Sequence, residues 1–295
     1  MHDRDSRQRF LFEHLAVRGE LVHLNQSWQE ILKRHEYPES IQSMLGDMAA
    51  AAVLLSATLK FKGSLIMQIR GNGPLSMAVM EATSERTLRG LAQWHGDVSD
   101  KGLLDLVGKA TLVITIDPEI GERYQGIVDL SSGDIPHALE DYMRRSQQLE
   151  TRLWLCSDGS HASGMLLQKM PARGDADLLY EDLDAWPRVT QLADTVQAQE
   201  LAQLEFNDLL YRLFHEEQVR VFEKSPVSFR CSCTRERVRD MLRMLGYDEV
   251  KSIIDSENRL DVRCQFCNHY YGFDKVDAEQ IFTDGIPSDT PPSMQ

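Results

Sequence analysis

Four cysteines near the C-terminal end of this chain are the residues best placed to do chemistry. They occur as Cys231-x-Cys233 and Cys264-x-x-Cys267, with 30 residues between the pairs. Side chains alternate along an extended segment, so Cys231 and Cys233 point to one face. Four thiolates can hold one zinc ion in a closed tetrahedral site. Each pair can also close into a disulfide, so the spacing leaves open both a structural zinc site and a redox switch.

Residues 225–283, which contain both pairs, are predicted to form a compact module. Thr234 is a good helix N-cap, and Gly246 is a good stop signal for the helix that follows it. A second short helix is predicted around Val250, and a strand leads into Cys264. A module of about 60 residues buries little apolar surface, so it needs a further stabilising interaction such as a bound metal ion.

Other candidate sites in the chain are weaker. His269 follows the second pair, but four thiolates already complete the shell, so we interpret it as a surface or neighbouring histidine. Cys156, Asp158 and His161 contain the residue types of a nucleophilic triad, but they fall within six positions of one another. No oriented scaffold is evident there, and an ordinary strand-end cysteine is the favoured interpretation.

Residues 1–173 are predicted to form an N-terminal α+β domain. Two strand-like runs flank Gly71-Asn72-Gly73-Pro74, which has no third glycine and is therefore interpreted as a hairpin turn rather than a dinucleotide-binding loop. Further strands are expected at 110–116, 124–130 and 152–157, with a helix over 135–149. Hairpin strands with inserted helices favour the α+β class over a doubly wound parallel sheet.

Residues 174–224 have a different character and are interpreted as a helical linker. They hold 12 acidic and 4 basic residues, together with apolar residues at helical spacing. Such a segment folds only weakly without a neighbour to pack on. The pattern allows either surface connector helices or a conditionally folded linker. Residues 284–295, which are rich in proline, are expected to be a disordered tail.

The composition and charge of the chain exclude several classes of function. The net charge is -14, which disfavours binding to phosphate backbones and to anionic membranes. The N-terminus has no apolar signal region, and the longest uninterrupted apolar run, residues 48–55, is only eight residues long. We therefore expect a cytoplasmic protein that binds neither nucleic acid nor membrane. Thiols are kept reduced in that compartment.

These motifs together resemble those of the heat shock protein 33 family, the redox-regulated bacterial chaperones. The most specific part of the resemblance is the four-cysteine framework with its 30-residue spacer. The block Arg235-Glu236-Arg237-Val238 follows the first pair, and Tyr271-Gly272-Phe273-Asp274 follows the second. In the N-terminal domain the similar stretches are 68–75, 115–118, 121–126 and 152–155.

The resemblance implies an ATP-independent holdase of the stress response and not an enzyme. In its reduced form one zinc ion is bound by Cys231, Cys233, Cys264 and Cys267, and the protein is largely inactive. Oxidation pairs Cys231 with Cys233 and Cys264 with Cys267, after which zinc is released, and the module and linker unfold. The resemblance further implies that unfolding client proteins are bound, that the active form is a homodimer, and that ATP-dependent foldases receive the clients later. It also favours a linker that acts as a metastable switch.

Two other functions remain compatible with the cysteine spacing alone. A thiol-disulfide oxidoreductase would place Cys264-x-x-Cys267 at the start of a helix in a βαβ unit. A zinc ribbon that binds nucleic acid is disfavoured by the net charge. A zinc ribbon that binds protein merges with the chaperone hypothesis.

Overall fold

The chain folds into two compact units, Met1–Arg230 and Cys231–Gln295. The computed structural model describes residues 5–58, 62–99, 101–171, 182 and 184–283. The residues expected to form a disordered tail, 284–295, therefore lie outside the described part. Both units combine helices with antiparallel strands, so the α+β class is confirmed.

The first unit contains seven helices and twelve strands within the described residues. In chain order they are β1 (Ser6–Phe12), β2 (Val17–Leu24), α1 (Gln26–Leu32), α2 (Glu39–Thr58), β3 (Gly63–Gly71), β4 (Leu75–Thr83), β5 (Thr87–Trp94), α3 (Leu103–Val107), β6 (Ala110–Pro118), β7 (Tyr124–Asp129), α4 (Ile135–Ser146), β8 (Thr151–Ser157), β9 (Ala162–Lys169), α5 (Ala185–Ala193), α6 (Ala198–Gln203), α7 (Phe206–Phe214), β10 (Val219–Val221), β11 (Ser225–Pro226) and β12 (Ser228–Phe229).

The strands form two sheets. The first has the order β10-β1-β2-β9-β8, with β11 also pairing with β1, and the second has the order β12-β5-β4-β3-β6-β7. Every pairing is antiparallel except that between β12 and β5. The turn Gly71–Pro74 joins β3 to β4, as predicted. A Cβ atom on Gly73 would lie only 2.4 Å from the carbonyl oxygen of Leu106, so this turn requires glycine.

Helix α2 is the central helix of the first unit. Its 20 residues are long and apolar enough to cross a membrane by length and composition, but 72% of the most apolar window is buried inside the fold. Burial of that kind is typical of a core helix. The residues that make its burial so complete are small, since Ala49, Ala50, Ala51 and Ala52 are all fully buried. Small side chains let strands approach the helix closely on several sides.

The described part of the linker, residues 182 and 184–224, belongs to the first unit and covers one face of the first sheet. Helices α5, α6 and α7 have nine, six and nine residues, and helices this short are marginal on their own. Their stability therefore comes from packing. Buried residues of the sheet meet buried residues of the linker in one apolar cluster: Phe10, Phe12, Val17, Leu21, Met165 and Leu167 against Val189, Ala193, Leu201, Phe206, Leu209, Leu210, Leu213 and Phe214.

The second unit is a small fold around a hairpin. Its elements are α8 (Arg235–Leu245), α9 (Tyr247–Glu257), β13 (Leu260–Arg263), β14 (Tyr270–Phe273) and α10 (Lys275–Thr283). The predicted capped helix after Thr234, the second helix and the strand leading to Cys264 are all present. Nine buried apolar residues form its core: Val238, Leu242, Val250, Ile254, Leu260, Tyr271, Phe273, Ala278 and Ile281.

Two boundaries differ from the sequence-based expectations. The helix predicted over 135–149 ends at Ser146, because Gln148 has a positive φ of 55° that an α-helix cannot contain. The C-terminal module was expected to begin at residue 225, whereas the second compact unit begins at Cys231. The reason is that β11 and β12 pair with β1 and β5 of the first unit.

Candidate metal centre

The first cysteine pair is held at the start of helix α8. Cys231 and Cys233 lie two and four residues beyond the end of β12. Thr234 is the N-cap of the helix, and its side chain accepts a hydrogen bond from the backbone N–H of Arg237. The Arg237 guanidinium in turn donates to the carbonyl oxygen of Ser232 at 2.9 Å and to its hydroxyl at 2.6 Å. The segment between the two cysteines is thereby fixed to the helix that follows.

The second pair occupies the turn of the β13–β14 hairpin. The N–H of Cys264 donates to the carbonyl oxygen of His269 at 2.9 Å, and the N–H of Asn268 donates to the carbonyl oxygen of Cys264 at 2.8 Å. Asn268 adopts a φ of 58°, in the left-handed region that asparagine tolerates better than most residues. The turn brings Cys264 and Cys267 to the same end of the hairpin. It does not start a helix, which argues against a thioredoxin-like oxidoreductase.

The two pairs converge into one cluster. The Sγ atoms of Cys231, Cys233, Cys264 and Cys267 all lie within 4.8 Å of one another. Two of the distances join different pairs: Cys231 to Cys264 is 3.6 Å and Cys233 to Cys267 is 3.3 Å. A tetrahedral zinc site with Zn–S bonds of about 2.3 Å has sulfur–sulfur edges of roughly 3.8 Å. The donor set and its spacing therefore fit one tetrahedrally coordinated metal ion, and none of the four cysteines is part of a disulfide.

The environment of the sulfurs is uneven. Burial raises the pKa of the Cys231 and Cys267 thiols. Burial also acts to raise the pKa of Cys233, but hydrogen bonds from Tyr271 and from the neighbouring thiols outweigh it and hold that pKa below its usual value. The Tyr271 hydroxyl donates to Cys233 Sγ at 3.2 Å. A bound cation would deprotonate the coordinating thiols outright.

Arg235 ties the first pair's helix to the second pair's hairpin. One of its guanidinium nitrogens donates to the carbonyl oxygen of Gly272 at 2.9 Å, and another pairs with Asp277 at 2.9 Å. The guanidinium carbon also lies 4.3 Å from the centroid of the Phe273 ring. These contacts connect α8, β14 and α10. They hold the two halves of the cysteine cluster in register.

His269 does not join the cluster. Among the described residues, the group of potential ligand atoms that includes these sulfurs consists of the four cysteines. The His269 ring instead packs edge-on against the Tyr271 ring, with centroids 4.7 Å apart. Its position beside Tyr271, which donates to Cys233 Sγ, agrees with the interpretation of His269 as a neighbouring histidine.

Cys156 lies outside the cluster and has the properties of an unreactive thiol. Burial, followed by the nearby carboxylates of Asp47 and Asp158, raises its pKa to about 12. Its Sγ donates to the carbonyl oxygen of Ala198 at 3.4 Å, while His161 Nδ1 lies 3.6 Å from Asp158. Since a protonated thiol is a poor nucleophile, the three residues do not form a catalytic triad.

Two contributors to the centre were not identified as such from the sequence. Tyr271 supplies the hydrogen bond to Cys233, and Arg235 clamps the two halves together. Both lie in the blocks that carry the family resemblance, next to the cysteine pairs. That adjacency was the available signal, but the sequence does not show which residue of each block contacts the centre.

Comparison with known proteins identifies close relatives over almost the whole chain. Residues 5–274 match the family described as Hsp33 protein. A protein named 33 kDa chaperonin from Nitrosococcus oceani is 48% identical over 97% of each chain. Its namesake from Methylobacillus flagellatus is 47% identical over 96% of each chain. The crystal structure of the 33 kDa chaperonin from Thermotoga maritima is similar in fold, with a TM-score of 0.79 and 24% identity over 94% of this chain and 97% of that one.

Proposed function

Because this chain belongs to the Hsp33 protein family, whose named relatives are 33 kDa chaperonins, we propose that it is a redox-regulated, ATP-independent holdase. Reduced protein holds one zinc ion through Cys231, Cys233, Cys264 and Cys267 and is largely inactive. Oxidised protein binds unfolding proteins and prevents their aggregation. The observation that carries the proposal is the convergence of four cysteine sulfurs within 4.8 Å in a unit whose described residues include only nine buried apolar ones.

Zinc supplies cohesion to the second unit when it is bound. Structural zinc contributes roughly 10–16 kcal/mol of apparent binding free energy in small zinc peptides, whereas whole domains are stable by only about 5–15 kcal/mol. A core of nine residues cannot replace that contribution. The second unit is therefore expected to be folded with zinc and unfolded without it.

Oxidation removes the metal ligands because it converts pairs of cysteine thiols into disulfides. Each disulfide forms when two thiols lose two protons and two electrons, and a hydroperoxide that accepts them is reduced to water and an alcohol, or to two waters when it is hydrogen peroxide. We assign the disulfides to Cys231–Cys233 and Cys264–Cys267, the pairs that are close in sequence. Sulfurs joined in this way no longer act as thiolate ligands, and release of zinc follows. The 3.3 Å and 3.6 Å distances join sulfurs of different pairs, and they are compatible with four ligands around one metal ion.

Unfolding of the second unit is expected to expose the apolar surface that the linker covers. The chain runs from α7 through the short strands β10, β11 and β12 directly into Cys231. Strands of two or three residues are held by few hydrogen bonds, so they open easily once the residues that follow them unfold. Helices α5 to α7 then lose an anchored end. The face of the first sheet that they cover contains Phe10, Phe12, Leu21 and Met165, which is a surface suited to unfolding clients.

The exposed apolar surface is also the basis of the proposed homodimer. Apolar surface on two oxidised copies is expected to associate, which would give the active homodimer.

Client release to ATP-dependent foldases needs only that reduction restores the zinc-bound fold. No catalysed reaction is assigned, and a cytoplasmic location, where thiols are kept reduced, suits a switch that rests in the zinc-bound state.

The proposal is tested by treating the full-length protein with hydrogen peroxide and measuring zinc, thiols and chaperone activity together. We expect loss of one zinc and four thiols per chain, and suppression of aggregation of a chemically denatured client by the oxidised form only. A Cys156→Ser variant is the matched control, because it removes a cysteine that lies outside the cluster. Equal suppression by reduced and oxidised protein would refute the switch. Turnover of insulin disulfides would instead revive the oxidoreductase alternative.

A further inference from the structure

The two sheets of the first unit differ in how their edges are protected. The edge strands β10, β11 and β12 have only two or three residues each. In the seven-residue edge strand β8, one backbone donor is already used, because the N–H of Leu153 donates to the Glu140 carboxylate at 2.8 Å. The six-residue strand β7 pairs with β6 on one side only, and within the described part of the chain its other side has no backbone partner.

Strand β7 lacks the features that usually protect a sheet edge. Proteins block their edges with proline, lysine or a β-bulge. The sequence of β7 is Tyr-Gln-Gly-Ile-Val-Asp, and its pairing with β6 is regular over all six residues. Ile127 is 73% exposed and Tyr124 is 45% exposed, whereas Val128 points inward and is buried. An extended, partly apolar edge of this length is a template for a further strand.

The inner face of the edge strand packs against helix α4. Gly126 faces the Tyr142 ring of helix α4 so closely that a Cβ atom would lie 2.2 Å from the tyrosine oxygen. The Tyr142 hydroxyl is within 3.4 Å of the Tyr124 hydroxyl, and Gln147 donates to both. A strand held in place on its inner face presents its outer N–H and C=O groups in a fixed geometry. Preorganisation of this kind lowers the entropic cost of binding.

The charges around β7 indicate what kind of strand it accepts. Residues 117–134 contain five acidic residues and one arginine, Arg123, which is paired with Asp117 at 2.8 Å. Glu122 precedes the strand and Asp129 ends it, so both ends are acidic. In an antiparallel pair of two copies of β7, the acidic start of one strand would face the acidic end of the other. Self-pairing is therefore disfavoured, and an apolar segment with basic flanks is favoured.

We infer that the free edge of β7 binds an extended apolar segment with lysine or arginine at its flanks, by adding it to the second sheet as a seventh strand. Such recognition uses backbone groups that every polypeptide has, so it accepts many sequences. The assignment of that segment to unfolding proteins rests on the proposed function. Tyr124 and Ile127 are exposed in the structure, so we expect this binding without oxidation. One short strand makes few hydrogen bonds, so on its own it binds weakly.

The probe is a fluorescein-labelled peptide, Lys-Thr-Val-Thr-Val-Thr-Val-Lys, titrated into reduced, zinc-loaded, full-length protein and followed by anisotropy. A second peptide carries N-methyl groups on two adjacent central residues, which removes a donor from each edge but keeps the side chains. A third has glutamate in place of both lysines. We expect each altered peptide to bind at least tenfold more weakly than the first, and amide exchange in residues 124–129 to slow only with the first.

Variants of the protein separate backbone pairing from apolar contact. Ile127→Lys places a positive charge beside the basic-flanked strand and should weaken binding at least tenfold. Ile127→Thr keeps a β-branched residue and should change affinity less than threefold, because the backbone supplies the contacts. Ile120→Lys is the matched control, since Ile120 is 93% exposed at the turn before β7 and outside the strand. It should leave binding unchanged.

Three results would overturn the inference. The first is equal affinity for the plain and N-methylated peptides, and the second is an equal effect of Ile120→Lys and Ile127→Lys. The third is a dimer of the reduced protein that Ile127→Lys dissociates, which would show that a second copy occupies the edge. None of these measurements involves oxidation or client aggregation. A failure of the proposed redox switch would therefore be seen separately, as an oxidised protein that retains zinc or does not suppress aggregation.

Discussion

Replacing Phe214 by alanine should release the linker helices without any oxidation. Phe214 lies in α7 and is 1% exposed. Its ring meets that of Phe12 edge-on at a centroid distance of 5.0 Å and lies 6.3 Å from that of Phe10. Both partner rings belong to strand β1. The substitution therefore removes a contact between the linker and the sheet face that the linker covers.

The expected magnitude follows from the burial of the ring. Truncating a fully buried phenylalanine to alanine costs about 3–5 kcal/mol. Since about 1.4 kcal/mol corresponds to a tenfold change in an equilibrium constant, the opening of the linker should become more favourable by roughly 10²- to 4 × 10³-fold. Helices of six to nine residues have little stability of their own to offset such a loss.

Amide hydrogen exchange on the reduced, zinc-loaded protein measures this effect directly. Exchange should accelerate across residues 185–214, while the core helix α2 keeps its protection and shows that the first unit remains folded. Aggregation of a denatured client should then be suppressed under reducing conditions. Tyr211→Ala is the matched control, because Tyr211 lies in the same helix but is 75% exposed.

Three outcomes would contradict the reasoning. Unchanged exchange in the linker of Phe214→Ala would mean that the aromatic contact with β1 does not hold the helices in place. Faster exchange without client binding would mean that the covered face is not the surface that clients use. An equal response of Tyr211→Ala would show that the effect does not depend on the burial of the replaced ring.

Three further predictions concern the second unit and the core. Cys264→Ser should abolish zinc binding and unfold residues 235–283 but not α2, as measured by zinc content and amide exchange; retained protection in that segment would contradict a metal-dependent fold. Thr234→Ala removes the cap that accepts from the Arg237 N–H and should lower the free energy of unfolding of the zinc-bound second unit by about 1 kcal/mol, measured with urea, whereas Thr234→Ser should cost much less. Burial raises the pKa of Asp47 to about 6, so the folded state favours the protonated carboxyl, and the associated stability is lost as the pH rises through about 6. Asp47→Asn should therefore stabilise the first unit by up to about 3 kcal/mol at pH 8 and much less at pH 4; a pH-independent effect in thermal unfolding would refute this.

The cysteine centre was largely predictable from the chain because its parts are local. A Cys-x-Cys segment and a Cys-x-x-Cys turn each bring two thiols together through backbone geometry alone, and Thr234 and Gly246 mark the limits of the helix between them. Likewise, the glycines of the turn at residues 71–74 are sufficient to predict the β3–β4 hairpin. In each case the residues that decide the structure are neighbours along the chain, so their types and spacing carry the information.

The features that depend on residues distant in sequence were decided only by the tertiary structure. Because β12 pairs with β5 of the first unit, the second unit begins at Cys231 and not at residue 225, where the sequence predicted its start. The contact between Phe12 and Phe214 joins the two ends of the first unit, and it gives an otherwise marginal linker a surface to fold on. Periodicity predicts that a helix has an apolar face, but the partner of that face depends on the order of the strands in the sheet. The free edge of β7 is likewise a property of strand order, since a strand's sequence does not say whether a neighbour lies on both sides.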